Sequence, residues 1–265
     1  MSTPLILVTG QAVASILMVA AWLLCKRIGN ASYVDALWAF GVGALGTIYL
    51  AIEEGDSTRR TLVMGLLALW SLRLGVHLLR RCCRQGIEDS RYHFFRKAWG
   101  KKADFLFFLF FQKQAFWIVL FASPFLVVGS NPQELGPLDY AGLLIWIVGF
   151  AGVTLADLQL TRFKNAPGRK REAVCDSGLW RFSRHPNYFF EWILWSGYPL
   201  LGWNAAGGYW LVLLPLVLLA FLLKITGIPH VEARKIENSG EQYRRYISMT
   251  NTFFPWFPKK ESSKS

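Results

Sequence analysis

Seven stretches of mostly apolar residues alternate with polar connections along the chain, at about 4 to 25, 33 to 52, 61 to 80, 104 to 129, 138 to 160, 186 to 203 and 207 to 225. A hydrocarbon core of roughly 30 Å takes about 20 such residues in helical form, so each stretch is read as a membrane helix. The sixth begins at Pro186 and contains Asn187 and Glu191. It is expected to enter the bilayer only part way. The first is too long for a cleavable signal peptide, and its positive charge, Lys26 and Arg27, follows the apolar run instead of preceding it; it is expected to remain as a helix. The pattern predicts an all-α integral membrane protein of about seven transmembrane helices.

Composition points the same way. Only 17% of the 265 residues are charged, against 53% hydrophobic and 15% aromatic, where soluble domains run near 25% charged. The connections at 26 to 32, 80 to 103 and 161 to 185, with the tail from 226, hold nearly all the basic residues, and those at 53 to 60, 130 to 137 and 204 to 206 do not. This alternation places the N-terminus outside and the C-terminus in the cytoplasm. The net charge of +12 then faces anionic headgroups and calls for no nucleic-acid partner. No polar stretch is long enough to fold alone, so residues 1–258 are expected to form a single membrane domain, with 259–265 a disordered tail. Cys25, Cys82, Cys83 and Cys175 have no metal-ligand or paired spacing and are read as reduced thiols; no metal is expected.

Two motifs mislead. Gly41-Val-Gly-Ala-Leu-Gly46 matches the dinucleotide fingerprint, but that fingerprint needs a strand before it and a helix start after it. Here the glycines lie inside a membrane span, where small residues let helices approach. Leu5 to Gly10 imitates a first nucleotide-binding strand without the glycine-rich turn that would follow.

Charges inside spans are costly, so each asks for a partner or a task. Lys113 is expected near a helix end, where it can snorkel, and Asp35 at a helix start, where it can cap. Arg73 and His77, four apart, share a face and are candidates for an ion pair with Asp35 or Asp157. Asp157 stands at the lip of a basic basin made by Arg162, Lys164, Arg169, Lys170, Arg171, Arg181 and Arg184. Ser177 to Glu191 follows. Pro186 suits a first helical position, which sets Asn187 and Glu191 on one face near an anion-favouring helix start, just after Arg184 and His185. Beyond the last span, Glu232, Tyr243 and Tyr246 lie in an amphipathic segment ending in Phe253-Phe-Pro-Trp-Phe-Pro258, suited to covering a pocket or lying on headgroups.

The stretch "GLWRFSRHPNYFFEW", with "EQYRRYISMTNTFFPWFP" near the end, resembles the DUF1295 branch of the steroid 5-alpha-reductase-like membrane proteins. The wider superfamily includes sterol reductases and isoprenylcysteine carboxyl methyltransferases. Arg184-His-Pro-x-Tyr188, a later acid at Glu232 and Tyr243-x-x-Tyr246 carry the likeness, and do not separate reductase from methyltransferase.

The reductase resemblance implies NADPH in the cytoplasmic half and a lipophilic enone entering from the bilayer. The matching positions give a cofactor site at Asp157, Arg162 or Lys164, Asn187 and Glu191, with Arg184, His185, Tyr188, Glu232 and Tyr243 around it. The family's carbonyl-polarising pair has no clear local match; Asp35, Trp38, His77, or Glu88 with Tyr92 are the alternatives. Among these, Tyr92, His77 or a protonated Glu88 would donate the hydrogen bond that charge on the substrate oxygen requires. Phosphates need cations and a sulfonium does not, so the basic basin favours NADPH over S-adenosylmethionine. A lipid methyltransferase and a non-catalytic lipid-binding protein are the other readings. The membrane would be the plasma or inner membrane in a bacterium and the endoplasmic reticulum in a eukaryote.

Overall fold

A computed structural model describes residues 2–85, 88–168, 170, 172–225 and 227–259, and every regular element among them is helical. Arg169 and Arg171 of the basic basin, and residues 260–265 of the expected tail, lie outside the described residues. The helices are α1 (Thr3–Ile28), α2 (Tyr33–Ile52), α3 (Ser57–Gln85), α4 (Ser90–Trp99), α5 (Ala103–Ala122), α6 (Pro124–Gly129), α7 (Pro137–Lys164), α8 (Pro186–Ser196), α9 (Tyr198–Leu201), α10 (Leu213–Ala220) and α11 (Ile228–Met249).

Among the described residues, six helical stretches are long and apolar enough to cross a bilayer, giving an all-α, multi-pass membrane fold. The expected stretch at 186–203 is not one of the six. It divides at Gly197, whose N–H turns back to Leu194 O, and Pro199 has no N–H to continue the ladder. An α8 of 11 residues rises only about 16 Å, half of a hydrocarbon core.

The described chain forms two compact units, Met1–Leu135 with Asn204–Gly208, and Gly136–Trp203 with Tyr209–Ser265.

In the first unit α2 is the central helix, packed by α1, α3, α5 and α6. The fingerprint-like glycines are its packing face, as expected for a motif with no strand before it. A Cβ on Gly43 would lie 2.3 Å from Ser71, and one on Gly46 2.6 Å from Leu67. α1 ends at Gly29, whose φ of 73° is the left-handed cap that glycine adopts without strain. Lys26 and Arg27 in its last turn meet the negative end of the helix dipole. Asp56 caps α3 by accepting from the Arg59 N–H at 2.7 Å. The Arg59 side chain is fully buried and donates to the Asn131, Gln133 and Glu134 carbonyls, fastening the connection before α7. Two expectations are corrected here. Lys113 is not near a helix end but falls in the middle of the 20-residue α5, and the Asp35 carboxylate does not cap α2 but turns to a tyrosine and an arginine.

The second unit is built on α7. Pro137 starts it, and Asp139 Oδ2 accepts from the Gly136 N–H at 2.9 Å. α8 lies so close that a Cβ on Gly149 would stand 2.4 Å from the backbone nitrogen of Leu194. The last apolar stretch ends in a π-helical turn, Phe221–Ile225. α11 then bends at Gly240 (φ 51°). The segment after α11 folds back, with Trp256 N–H on Phe182 O at 2.9 Å.

Candidate functional site

Two polar clusters emerge, one in each unit. In the first, the α1–α2 connection, the start of α4 and the end of α3 are tied together. Tyr92, 2% exposed, donates its hydroxyl to Asp35 Oδ1 at 2.7 Å, and Arg91 donates to Asp35 Oδ2 at 2.7 Å. Asp89 caps α4 through the Arg91 N–H at 2.9 Å, takes Arg81 as an ion pair, and donates its own N–H to Ser32 Oγ at 2.7 Å. Glu88 accepts from Arg96 at 3.0 and 2.8 Å and from the Ala31 N–H at 2.8 Å. Burial alone would raise the Glu88 pKa; Arg96 and the Ala31 amide overcome it and hold the carboxyl below its usual value. The expectation of a protonated Glu88 is therefore corrected: Arg96 and the backbone keep it ionised, an acceptor with no proton to give. His77 is half-buried on α3, one turn from Arg73. Asp35, one of the two partners expected for that pair, is held by Arg91 and Tyr92. The Trp38 indole N–H is buried without a hydrogen-bond partner among the described residues, its ring edge-on to Trp70 and Phe121.

The second cluster holds the sequence motif. Asn187 in the first turn of α8 donates to Asp157 Oδ1 at 3.3 Å and accepts from the Tyr188 N–H at 3.0 Å. Glu191, one turn on, accepts from Trp195 Nε1 at 3.1 Å. Asp157, Asn187 and Glu191 are all half-buried, while Arg162 and Lys164 at the end of α7, Lys170 and Arg181 are exposed. Arg184 and His185 turn inward, at 7% and 3% exposure. Arg184 donates through Nε to Glu232 Oε1 at 2.7 Å, through one terminal nitrogen to the Ile247 and Thr250 carbonyls, and through the other to Thr252 Oγ1 at 2.7 Å. His185 Nε2 shares the same Glu232 oxygen at 3.1 Å, and its ring stacks on Tyr188 at 5.4 Å. Burial lowers the His185 pKa, with Glu232 opposing and Arg184 adding to the fall, so the imidazole is neutral near pH 7 and donates Nε2–H to the carboxylate.

Around this core the loop before α8 is stitched to α7 and α11. Trp180 Nε1 donates to Ala156 O at 3.0 Å, the Leu179 N–H to Gln159 Oε1 at 2.9 Å, Tyr246 Oη to the Trp180 and Ser183 carbonyls, and Ser183 Oγ to Phe253 O at 2.8 Å. Tyr243 is buried beside Tyr246, ring centroids 5.8 Å apart. The structure thus joins Asp157 to Asn187, and Arg184 and His185 to Glu232. It keeps Arg162 and Lys164 at the surface. Sequence reasoning missed Arg91, Arg96, Trp180 and Ser183; only the indole and hydroxyl inside "GLWRFS" offered a signal.

The family model described as "Protein of unknown function (DUF1295)" matches residues 21–250. The chain belongs to the DUF1295 family. This DUF1295 protein is also similar to the uncharacterized protein C594.04c of Schizosaccharomyces pombe, 27% identical over 277 residues that cover 94% of this chain and 79% of that relative. No solved structure matches. Both polar clusters fall inside the part of the DUF1295 protein that the family model covers, as does nearly every residue of the Arg184 clamp.

Proposed function

We propose that this protein is a membrane-bound reductase that uses NADPH to saturate a conjugated carbon–carbon double bond in a lipophilic substrate of steroid or isoprenoid type. The observation that carries the reading is the half-buried Asp157–Asn187 pair two turns before the end of α7, followed by exposed cations, Arg162 and Lys164 in the last turn of that helix and Lys170 and Arg181 beyond it. A carboxylate and an amide suit hydroxyl and carboxamide groups, and exposed guanidinium and ammonium groups suit phosphates. When bound, NADPH supplies a hydride to the electron-poor carbon of the enone, and a proton completes the saturated ketone.

In this reading Asp157 and Asn187 orient the cofactor and Arg162 and Lys164 neutralise its phosphates, with Glu191 held beside them by Trp195. Arg184, His185, Tyr188, Glu232 and Tyr243 are positioning residues: the buried Arg184, His185 and Tyr243 and the half-buried Tyr188 and Glu232 fix where Asn187 points. Tyr92 is assigned as donor to the developing oxygen charge, with His77 the second candidate, because Glu88 has no proton to give. To donate, the Tyr92 hydroxyl must leave Asp35, whose charge Arg91 continues to meet. A methyltransferase would need an acid facing a sulfonium, and the charge of Glu232 is already met by Arg184, with a hydrogen bond from the neutral His185.

Asp157→Ala and Asn187→Ala should each weaken NADPH binding by the detergent-purified protein about tenfold, near 1.4 kcal/mol, the size of one hydrogen bond, with the melting temperature held. Unchanged affinity in both variants contradicts the reading.

A further inference from the structure

α5 has a stripe of exposed residues at helical spacing, Phe105, Leu109, Phe116 and Leu120, and Lys113 is exposed within it. By helical rise Lys113 stands about 12 Å from Phe105 and about 24 Å from Gly129 at the far end of the same apolar stretch. No described acid is paired with it. A lysine in that position faces hydrocarbon, where an unpaired charge is strongly disfavoured. One to two turns further along, the same stripe forms one wall of an apolar groove of about 360 Å³, with Phe116 and Leu120 on α5 facing Leu7, Val8 and Gln11 on α1.

We infer that the α1–α5 face is a docking surface inside the membrane for a transmembrane helix of a different protein that carries an aspartate or glutamate at the depth of Lys113. Charge complementarity selects this occupant. The chain's own intramembrane acids are engaged: Asp35 by Arg91 and Tyr92, Asp104 by Lys26, Asp139 by the Gly136 amide, Asp157 by Asn187, and Glu191 by Trp195. A second copy therefore offers no acid, and a twofold dimer on this face would set lysine against lysine. Lipid phosphates stay at the interface, beyond the reach of a side chain placed this deep. A helix can carry an acid into the hydrocarbon and lay its apolar side chains in the groove, while Gln11, Ser15 and Gln112, linked across α1 and α5, hold the two walls together. The inference is independent of the reductase reading.

The test uses the full chain in phosphatidylcholine vesicles and two labelled leucine-rich spanning peptides, one with a central glutamate and one with leucine there. Energy transfer should report association of the glutamate peptide at least about tenfold tighter than its twin. Lys113→Leu should abolish the difference, and Lys113→Glu should transfer the preference to a peptide with a central lysine. Equal binding of the twins, or a preference that survives Lys113→Leu, overturns the inference. So does displacement of the glutamate peptide by phosphatidylglycerol, which would make Lys113 a headgroup contact.

Discussion

His185 and Glu88 each make the fold sensitive to acid. Burial depresses the His185 pKa below its ordinary 6.5, and the bonds from Arg96 and the Ala31 amide hold Glu88 below 4.5. Each group binds a proton more readily unfolded than folded, so both contribute stability that is present at neutral pH and lost on acidification. Chemical unfolding of the detergent-purified protein should therefore show full stability above pH 6.5, a first loss as pH falls from there through the folded value of His185, and a second below 4.5. His185→Gln should remove the first step and leave the second. A midpoint that stays flat between pH 7 and 5 in the wild type would refute a buried neutral imidazole. At the same scale, the clamp at Arg184 pairs a buried guanidinium with a half-buried carboxylate. Arg184→Leu leaves Glu232 without its cation and should cost about 3–5 kcal/mol. Limited proteolysis reads this as new cleavage after Thr250, because the carbonyls of Ile247 and Thr250 and the hydroxyl of Thr252 lose their donor.

Among elements, the approach of α8 to α7 depends on one missing side chain. Gly149→Ala would drive a methyl group into the backbone at Leu194 and should lower stability by about 1–3 kcal/mol through overpacking. Gly65→Ala on α3, where nothing lies within 4 Å, should raise it by about 0.5–1 kcal/mol through helix propensity. If both substitutions destabilise equally, close packing is not what sets the Gly149 effect. Elements were the most legible level of the sequence. Apolar run length marks the long helices, and Pro186, Asn187 and Glu191 foretell that α8 stays short. The glycines of α2 read correctly as packing because no strand precedes them. Tertiary pairings were less legible. Asp35 meets Tyr92 across 57 positions and Arg184 meets Glu232 across 48. A string of basic residues does not reveal which one turns inward: Arg184 and Arg162 look alike in the basin, yet the first is a buried clamp and the second is at the surface.

For the whole molecule, the surplus of 29 Lys and Arg over 17 Asp and Glu divides into charges that hold the fold and charges that face outward. Arg59, Arg91, Arg96 and Arg184 are spent on carboxylates and carbonyls. Arg162 and Lys164 are exposed in the last turn of α7, and Lys170 and Arg181 are exposed beyond it. Those outward cations are the reason for expecting a phosphate-bearing cofactor, and they make its affinity salt-dependent, since exposed ion pairs weaken as counterions screen them. The Kd for NADPH should rise with added sodium chloride and should rise less steeply in Arg162→Gln/Lys164→Gln; an identical slope would place the phosphates elsewhere. The most direct measurement is a side-by-side titration of the detergent-purified protein with NADPH and with S-adenosylmethionine. Saturable binding of NADPH with none of S-adenosylmethionine is the predicted result. Binding of S-adenosylmethionine without NADPH or NADH would contradict the reductase account.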